Sequence, residues 1–240
     1  MSEQKIEYIL LTTALILTTA LSACTGWGPL TDRQPSDKGT ATDENRGHII
    51  RLPEPDLQGS VPLEETLAAR RSVRQFEDIP LTDTQIGQLL WAAQGITDPT
   101  GLRTAPSAGA LYPLEIYAAT QDGLFHYQPQ THSMERVLDH DPRPDLYQAA
   151  LRQNSVLEAP LVIVINAVFE RTSQKYGEAR TPRYVHMEVG HAAQNILLQA
   201  VALELGGVPI GAFYEEQIIE ALALPPDQVP LYLIPVGAPK

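Results

Sequence analysis

The sequence has little cysteine and a deficit of basic residues. Its single cysteine is Cys24, so an internal disulfide and a thiolate metal cage are excluded, and redox chemistry would need a bound cofactor rather than a dithiol. The 17 Lys and Arg residues face 29 Asp and Glu residues, which leaves a net charge of −12. Because phosphate contacts require an excess of Lys and Arg, we expect no nucleic-acid partner.

Long apolar runs are missing after the N-terminus. The run from Ile9 to Ala23 is too short and too rich in Thr to span a bilayer comfortably, and its last residues match the bacterial lipobox. We predict a signal peptide over residues 1–23, lipidation at Cys24, and a membrane-anchored protein facing the periplasm or cell exterior. The alternative is a buried cysteine in an unprocessed, cytoplasmic protein, which a lone Lys5 before the apolar run favours.

Several signature motifs are also missing. The sequence has no G-x-G-x-x-G, no G-x-x-x-x-G-K-[ST] and no G-x-S-x-G, so a dinucleotide fold, a P-loop and a serine-hydrolase elbow receive no support. His186 and His191 around Glu188 superficially suggest a zinc protease. A separation of five residues places the two imidazoles about 140° apart on a helix, so they cannot chelate one ion together. We expect no metal site.

Composition divides the remaining chain in two. Residues 24–61 are rich in Gly, Pro, Asp, Thr and Ser with little apolar periodicity, which predicts a lipid-anchored flexible linker outside the fold. Residues 62–240 combine helical and strand patterns without repeats or regular βαβ alternation, which predicts one α+β domain.

Particular elements of this domain can be placed from pattern. Thr82 and Gln85 form a capping box before an apolar helical face. Asp122-Gly123 is a hairpin dipeptide, and the continuous apolar run 161–167 is typical of a strand buried on both faces. The longest helix is predicted over 184–205, with Gly206-Gly207 at its C-terminal cap. Further predicted elements are a helix beginning near Pro62, strands over 114–120, 124–128, 208–213 and 231–236, and a helix over 215–222.

Two segments suggest ligand binding. Arg70, Arg71 and Arg74 form a local cation cluster in an acidic protein, with the Ser72 hydroxyl among them, and phosphate recognition needs such donors. Arginines at a helix C-terminus also simply complement the helix dipole, so this alternative stays open. The small-residue loop 106–110 could let its backbone approach a flat ligand closely, although a plain turn explains it equally well.

Five motifs occur in the order found in the nitroreductase superfamily, and the chain resembles its SagB-type dehydrogenase branch. The resemblance covers about three quarters of the chain, from Pro62 to the C-terminus. The motifs are RRSVRQF at 70–76, PSAGALYP at 106–113, KYGEARTPRY at 175–184, GHAAQN at 190–195 and GVPIGAF at 207–213.

The resemblance implies a nitroreductase-like α+β fold, with a mostly antiparallel sheet flanked by helices around a long central helix. It also implies an interlocked homodimer that binds FMN at the subunit interface. The FMN phosphate and ribityl chain would be held by Arg70, Arg71, Ser72 and Arg74. The flavin would be lined by Pro106, Ser107 and Gly109 of the other subunit, and by Pro209, Ile210 and Gly211.

The resemblance also suggests catalytic residues. Family members that oxidise azolines use a Lys-Tyr pair, which matches Lys175 and Tyr176, and either side chain could move a substrate proton. The alternative is a salt-bridged surface lysine beside a core tyrosine. Two departures bear on cofactor binding: Ala110 stands where many nitroreductases have Asn, and many continue with basic residues beyond the position of Lys240.

Three functions follow as hypotheses. The first is an FMN-dependent oxidoreductase that works by a ping-pong route on a small organic substrate. The second is a SagB-like azoline dehydrogenase acting on a peptide, and the third is a lipid-anchored flavin-binding protein without catalysis. NAD(P)H is scarce outside the cytoplasm, so an exported enzyme would need a quinol or membrane electron donor, whereas a cytoplasmic one would use NAD(P)H.

Overall fold

The computed structural model describes residues 47–240, and within them a seven-stranded sheet forms the centre of the protein. The strand order is β1-β4-β3-β2-β5-β7-β6, and each neighbouring pair is antiparallel. The strands are β1 (Ile49–Arg51), β2 (Leu114–Thr120), β3 (Gly123–Gln128), β4 (Ser133–Leu138), β5 (Leu161–Ala167), β6 (Gly206–Gly207) and β7 (Val229–Gly237). The predicted α+β class with an antiparallel sheet is confirmed.

Helices cover both faces of this sheet. The helices are α1 (Leu63–Ala69), α2 (Asp83–Gln94), α3 (Arg143–Ala149), α4 (Asn154–Glu158), α5 (Phe169–Tyr176), α6 (Thr181–Ala202) and α7 (Glu215–Ala221). Helices α2 and α6 pack on one face, and their apolar residues form one core cluster with that side of the sheet. Helices α3, α4 and α7 close a second cluster on the opposite face.

Strand β5 separates the two core clusters. All of its residues are buried, as the continuous apolar run predicts. Ile163 and Ile165 point into the cluster beneath α2 and α6, whereas Val162 and Val164 point into the other. Since alternate side chains of a strand face opposite ways, a strand covered on both sides must be apolar throughout.

Local signals place the first helix pair and the hairpin correctly. The Thr82 hydroxyl accepts a hydrogen bond from the Gln85 amide, and the Gln85 side chain accepts one from the Thr82 amide, so the capping box begins α2. Strands β2 and β3 pair from Thr120 opposite Gly123, where a φ of 139° suits glycine.

The long helix α6 begins and ends three residues earlier than predicted. Its periodic apolar residues are buried, including Val185, Ile196 and Ala200. The predicted glycine cap is wrong: Leu203 caps the helix and Glu204 takes the left-handed conformation, with a φ of 58°. Gly206-Gly207 instead forms β6 against β7. The strand predicted over 208–213 is reduced to a single bridge at Ile210.

Part of the predicted linker 24–61 belongs to the fold. Residues Ile49–Arg51 pair with β4 at the edge of the sheet, and Leu52 is buried in the core. The Asp56 amide also donates to the Gln88 side chain of α2. The folded region therefore starts before the boundary at residue 62, because three residues of strand carry too little pattern to be recognised. The predicted signal peptide 1–23 and Cys24 lie outside the described residues.

None of the helices between residues 47 and 240 combines the length and apolar character that crossing a bilayer requires.

Candidate functional site

The arginine-rich segment lies against the start of the GVPIGAF motif. Ser72 forms a parallel bridge with Gly207, and the Val73 amide donates to the Gly207 carbonyl at 3.1 Å. A Cβ on Gly206 would lie 2.5 Å from a methyl carbon of Val73, so this approach requires glycine. Tertiary structure thus joins two motifs separated by about 130 residues.

The arginines of this segment keep guanidinium groups available for an anion. Arg71 donates to the carbonyls of Ala68 and Arg70 at 2.9 and 2.8 Å, and Arg74 donates to the Ser72 carbonyl at 3.4 Å. Among residues 47–240, no carboxylate lies within 4.0 Å of Arg70, Arg71 or Arg74. Unpaired arginines with exposed or half-exposed side chains fit the phosphate of a nucleotide cofactor.

The segment 209–211 offers its backbone to a flat ligand. Ile210 exchanges backbone hydrogen bonds with Leu233 at 2.8 and 3.0 Å, and its side chain is buried in the core. Pro209 is half-buried and Gly211 is exposed. The Ile210 side chain therefore points away from the surface, and contact with a ring would involve the main chain and the neighbouring residues.

The small-residue loop 106–110 contacts the Lys-Tyr pair. Gly109 has a φ of 68°, and a Cβ at this position would lie 2.8 Å from Lys175 Nζ and 3.0 Å from Tyr176 Oη. Any side chain here would displace one of these groups. The glycine thus opens a cradle at which the loop backbone, an ammonium and a phenol meet, and this cradle fits a planar cofactor.

Lys175 and Tyr176 occupy the last turn of α5, a helix that the sequence analysis did not predict. Gly177, with a φ of 73°, ends the helix directly after them. The Tyr176 ring packs on Tyr184 with 4.6 Å between ring centroids, and it is half-buried rather than in the core. Lys175 has no salt-bridge partner among the described residues. Both findings disfavour the alternative of a salt-bridged lysine beside a core tyrosine.

A hydrogen-bonded brace holds the loop from the side of the sheet. Ser107 Oγ accepts from the Tyr112 amide at 2.9 Å, and Tyr112 Oη accepts from the Arg103 amide at 3.1 Å. The Arg103 guanidinium lies 4.5 Å from the centre of the Tyr112 ring. Arg171 donates to the Tyr112 carbonyl at 3.1 Å and forms an ion pair with Glu115. Sequence reasoning missed this brace because its members carry no motif.

Electrostatics differ sharply between the two acids near the loop. Burial would raise the pKa of Glu115, but the hydrogen bond from His126 at 2.6 Å and the charge of Arg171 outweigh it and hold the pKa below its usual range. Burial raises the pKa of Glu188 to about 7, against opposing hydrogen bonds from Ser107 and Gln94 and the charge of Arg103. Glu115 is therefore a structural carboxylate, while Glu188 titrates near neutrality.

The structure thus forms two groups from the predicted site residues. One group joins the arginine segment to residues 207–211, and the other joins the loop 106–110 to Lys175 and Tyr176. An antiparallel α+β core with these two groups defines a protein of the nitroreductase type.

Comparison with known proteins agrees. The family model described as "Nitroreductase family" matches residues 67–238, and the chain belongs to this family. A Methanocaldococcus jannaschii protein, provisionally named a nitroreductase, is 45% identical over 197 residues, which cover 80% of this chain and 98% of that protein. An NADPH-flavin oxidoreductase of Vibrio harveyi is 28% identical over 182 residues, which cover 73% of this chain and 65% of that protein.

Solved structures also match the fold. The crystal structure of a Ralstonia eutropha protein, provisionally assigned as a nitroreductase, has a TM-score of 0.71 and 30% identity, covering 82% of this chain and 94% of that one. An NADPH:FMN oxidoreductase from Vibrio harveyi, complexed with NAD⁺, has a TM-score of 0.56 and 25% identity, covering 74% of this chain and 69% of that one.

Proposed function

We propose that this protein is an FMN-dependent oxidoreductase that transfers hydride or electrons between a reduced donor and a small organic acceptor by a ping-pong route. The observation that carries the proposal is the cradle at Gly109, where the loop backbone meets Lys175 and Tyr176. Family membership and the flavin named for the Vibrio harveyi relative support the same cofactor. FMN, when bound, would supply the hydride- and electron-carrying chemistry.

The cofactor would be held by charge at one end and by close backbone contact at the other. Arg70, Arg71, Ser72 and Arg74 would bind the phosphate and ribityl chain. Pro209, Ile210 and Gly211 would border the ring of the same FMN. Pro106, Ser107 and Gly109 would come from the second subunit, so the proposal includes a homodimer. Ala110 removes one side-chain amide from this grip, and the arginine segment then carries most of the polar contact.

Lys175 and Tyr176 would act on the substrate rather than on the phosphate. An ammonium and a phenol beside the ring edge can each hold or move a proton at the substrate atom that loses or gains hydride. Their position at the mouth of the cradle leaves them free of competing ion pairs.

The flavin spectrum of the full-length protein tests the cofactor. We expect about one FMN per subunit, bleached by dithionite and reoxidised by an acceptor. Arg70→Ala with Arg74→Ala should weaken FMN binding by at least about tenfold for each arginine, because each charge-assisted bond contributes about 1.5–3 kcal/mol. Arg51→Ala, on the edge strand β1, is the matched control and should retain FMN. Unchanged FMN affinity in the double variant would refute the phosphate assignment.

The contact of Gly109 with the Lys-Tyr pair also favours a second candidate, azoline dehydrogenation of a peptide. A thiazoline- or oxazoline-containing peptide offered to the flavin-loaded protein distinguishes the two. Its oxidation would support the azoline function, whereas reduction of nitro compounds or quinones alone would support the first. Bound FMN that never turns over with any donor would favour the flavin-binding protein without catalysis.

The electron donor and location remain linked proposals. We propose lipid attachment at Cys24, with a quinol or membrane partner as donor. Incorporation of labelled lipid into the wild type, but not into Cys24→Ser, tests this. Unlabelled protein in the cytoplasmic fraction would reverse the proposal and favour NAD(P)H.

A further inference from the structure

Glu188 is a buried acid to which the proposed function gives no role. It lies on α6 with 2% of its surface exposed, between the histidines that resemble a metal motif in the sequence. Its carboxylate accepts a hydrogen bond from Gln94 Nε2 at 3.5 Å, and Gln94 is itself fully buried. A carboxyl in such surroundings is costly to charge and is retained in few structural roles.

Ser107 connects this carboxyl to the loop 106–110. The Ser107 hydroxyl forms a hydrogen bond with Glu188. Its oxygen already accepts from the Tyr112 amide, so its proton is free to be donated to Glu188. The loop is held in uncommon backbone conformations at Gly109 and Ala110, with φ of 68° and 53°. Its shape therefore depends on hydrogen bonds at its base, of which Glu188 accepts one.

Few groups compete for Glu188. Arg103, from the segment after α2, is the charged side chain that acts on it, while Gln94 and Ser107 face it with neutral hydrogen-bonding groups. The Arg103 guanidinium is engaged elsewhere, because it donates to Gln94 Oε1 at 3.0 Å, stacks on Tyr112 and is influenced by Glu115 and Arg171. Glu188 thus lacks a direct ion pair among residues 47–240.

We propose that Glu188 is a positioning residue for the loop 106–110, and that proton binding at its carboxyl is coupled to flavin binding by this loop. The proposal rests on the proposed function, since it takes the loop as the flavin contact. A flat ligand over the loop removes the remaining water near Glu188 and so favours the uncharged form. Flavin binding then takes up a proton, and the affinity rises as the pH falls.

Titration of FMN from about pH 6 to pH 8.5 tests the coupling, because this range brackets the pKa of about 7. We expect the FMN affinity of the wild type to fall with rising pH by at most about tenfold per pH unit, the limit for one proton. Glu188→Gln, an uncharged isostere, should lose this component. Because the FMN phosphate titrates near about pH 6, the difference between the two proteins is the result. The control Glu220→Gln, on α7, should follow the wild type.

Amide hydrogen exchange of residues 104–113 in flavin-free protein tests positioning without the cofactor. After correction for intrinsic rates, we expect protection of this segment to change between pH 6 and pH 8 in the wild type and to stay constant in Glu188→Gln. Ser107→Ala cuts the same link from the loop side and should also remove the change, which guards against a folding defect in one variant.

The outcomes separate this proposal from the proposed function. Equal pH dependence of FMN affinity in the wild type and Glu188→Gln would overturn the coupling while leaving an FMN protein. Equal protection in all variants would overturn the positioning role. Failure of the wild type to bind FMN would overturn the proposed function and the coupling together, and the exchange data would still decide whether Glu188 positions the loop.

Discussion

Lys175 and Tyr176 show how a residue assignment depends on its surroundings. The pair was assigned from a resemblance, and the structure adds that both side chains meet Gly109, about 65 residues earlier in the chain. A lysine and a tyrosine adjacent in sequence are unremarkable by themselves. Contact with a glycine that holds a positive φ makes them part of a concave site.

The first residue-scale prediction concerns these side chains. Lys175→Met and Tyr176→Phe should leave FMN occupancy unchanged while lowering the turnover number by about 10²–10⁴-fold for whichever group transfers the proton. Flavin content from the visible spectrum and steady-state kinetics with a nitro or quinone acceptor provide the measurement. Loss of flavin in either variant would show that the pair is structural.

A second residue-scale prediction concerns Glu115, whose side chain is 14% exposed and pairs with His126 and Arg171. Glu115→Gln should lower the free energy of unfolding by about 1–2 kcal/mol at neutral pH, an amount moderated because Arg171 is 42% exposed. The folded-state pKa of Glu115 is lowered, so its contribution is present above the ordinary value of 4.5 and is lost as the pH falls through the folded-state value.

Urea unfolding at a series of pH values measures this contribution. The difference between wild type and Glu115→Gln should shrink as the solution is acidified. A difference that stays constant down to the acid limit would mean that Glu115 acts through packing rather than through charge.

At the scale of elements, glycines have different roles that sequence alone does not separate. Gly123 terminates a hairpin strand, as its Asp-Gly pattern predicts. Gly206 also looks like punctuation after a long helix, but its function is to let the arginine segment approach. The pattern is the same, and only the neighbour differs.

The element-scale prediction is that Gly206→Ala separates the arginine segment from β6. Its Cβ would lie 2.5 and 2.7 Å from two carbons of Val73, so the protein should lose about 1–3 kcal/mol of stability and much of its FMN affinity. Thermal unfolding and flavin titration measure both effects. Gly59→Ala, where an added Cβ meets nothing within 4 Å, is the control and should change neither. A double variant Gly206→Ala with Val73→Ala should recover part of the loss.

At the scale of the whole molecule, one surface remains apolar. A groove of about 540 Å³ lies among α1, α2, α6 and the segment before α1, and its lining includes Leu57, Leu63, Trp91, Leu198 and Leu203. Leu57 and Leu63 are 73% and 58% exposed. Large exposed apolar side chains grouped in this way are typical of an interaction surface, and they support the proposed homodimer.

The whole-molecule prediction is that this surface forms the subunit contact. Leu63→Glu with Leu67→Glu should convert a dimer into a monomer in sedimentation experiments, because like charges would be brought together across the contact. Flavin should be lost in parallel, since the second subunit completes the proposed site. Ile79→Glu, an exposed apolar position outside the groove lining, should leave the dimer intact. A wild-type protein that sediments as a monomer with full flavin would refute the shared site.

The fold could be predicted where local pattern and burial agree. The capping box of α2, the hairpin at Asp122-Gly123 and the buried strand β5 each carry a complete signal within about ten residues, and the structure confirms them. Strand β1 and helix α5 could not be predicted in the same way. The first is three residues long, and the second is short and mostly polar, so both are stabilised by their partners rather than by their own sequence.

The amino-acid sequence by itself determined the α+β class, the main helices and strands, and the motifs that indicate the family, because periodicity, capping and turn chemistry are local properties. Only the tertiary structure decided that Gly207 meets Ser72, that Gly109 meets Lys175 and Tyr176, and that Glu188 is buried beneath Ser107. These are contacts between residues distant in the chain. Their energies depend on the packing of the whole domain, so no short segment carries a signal for them.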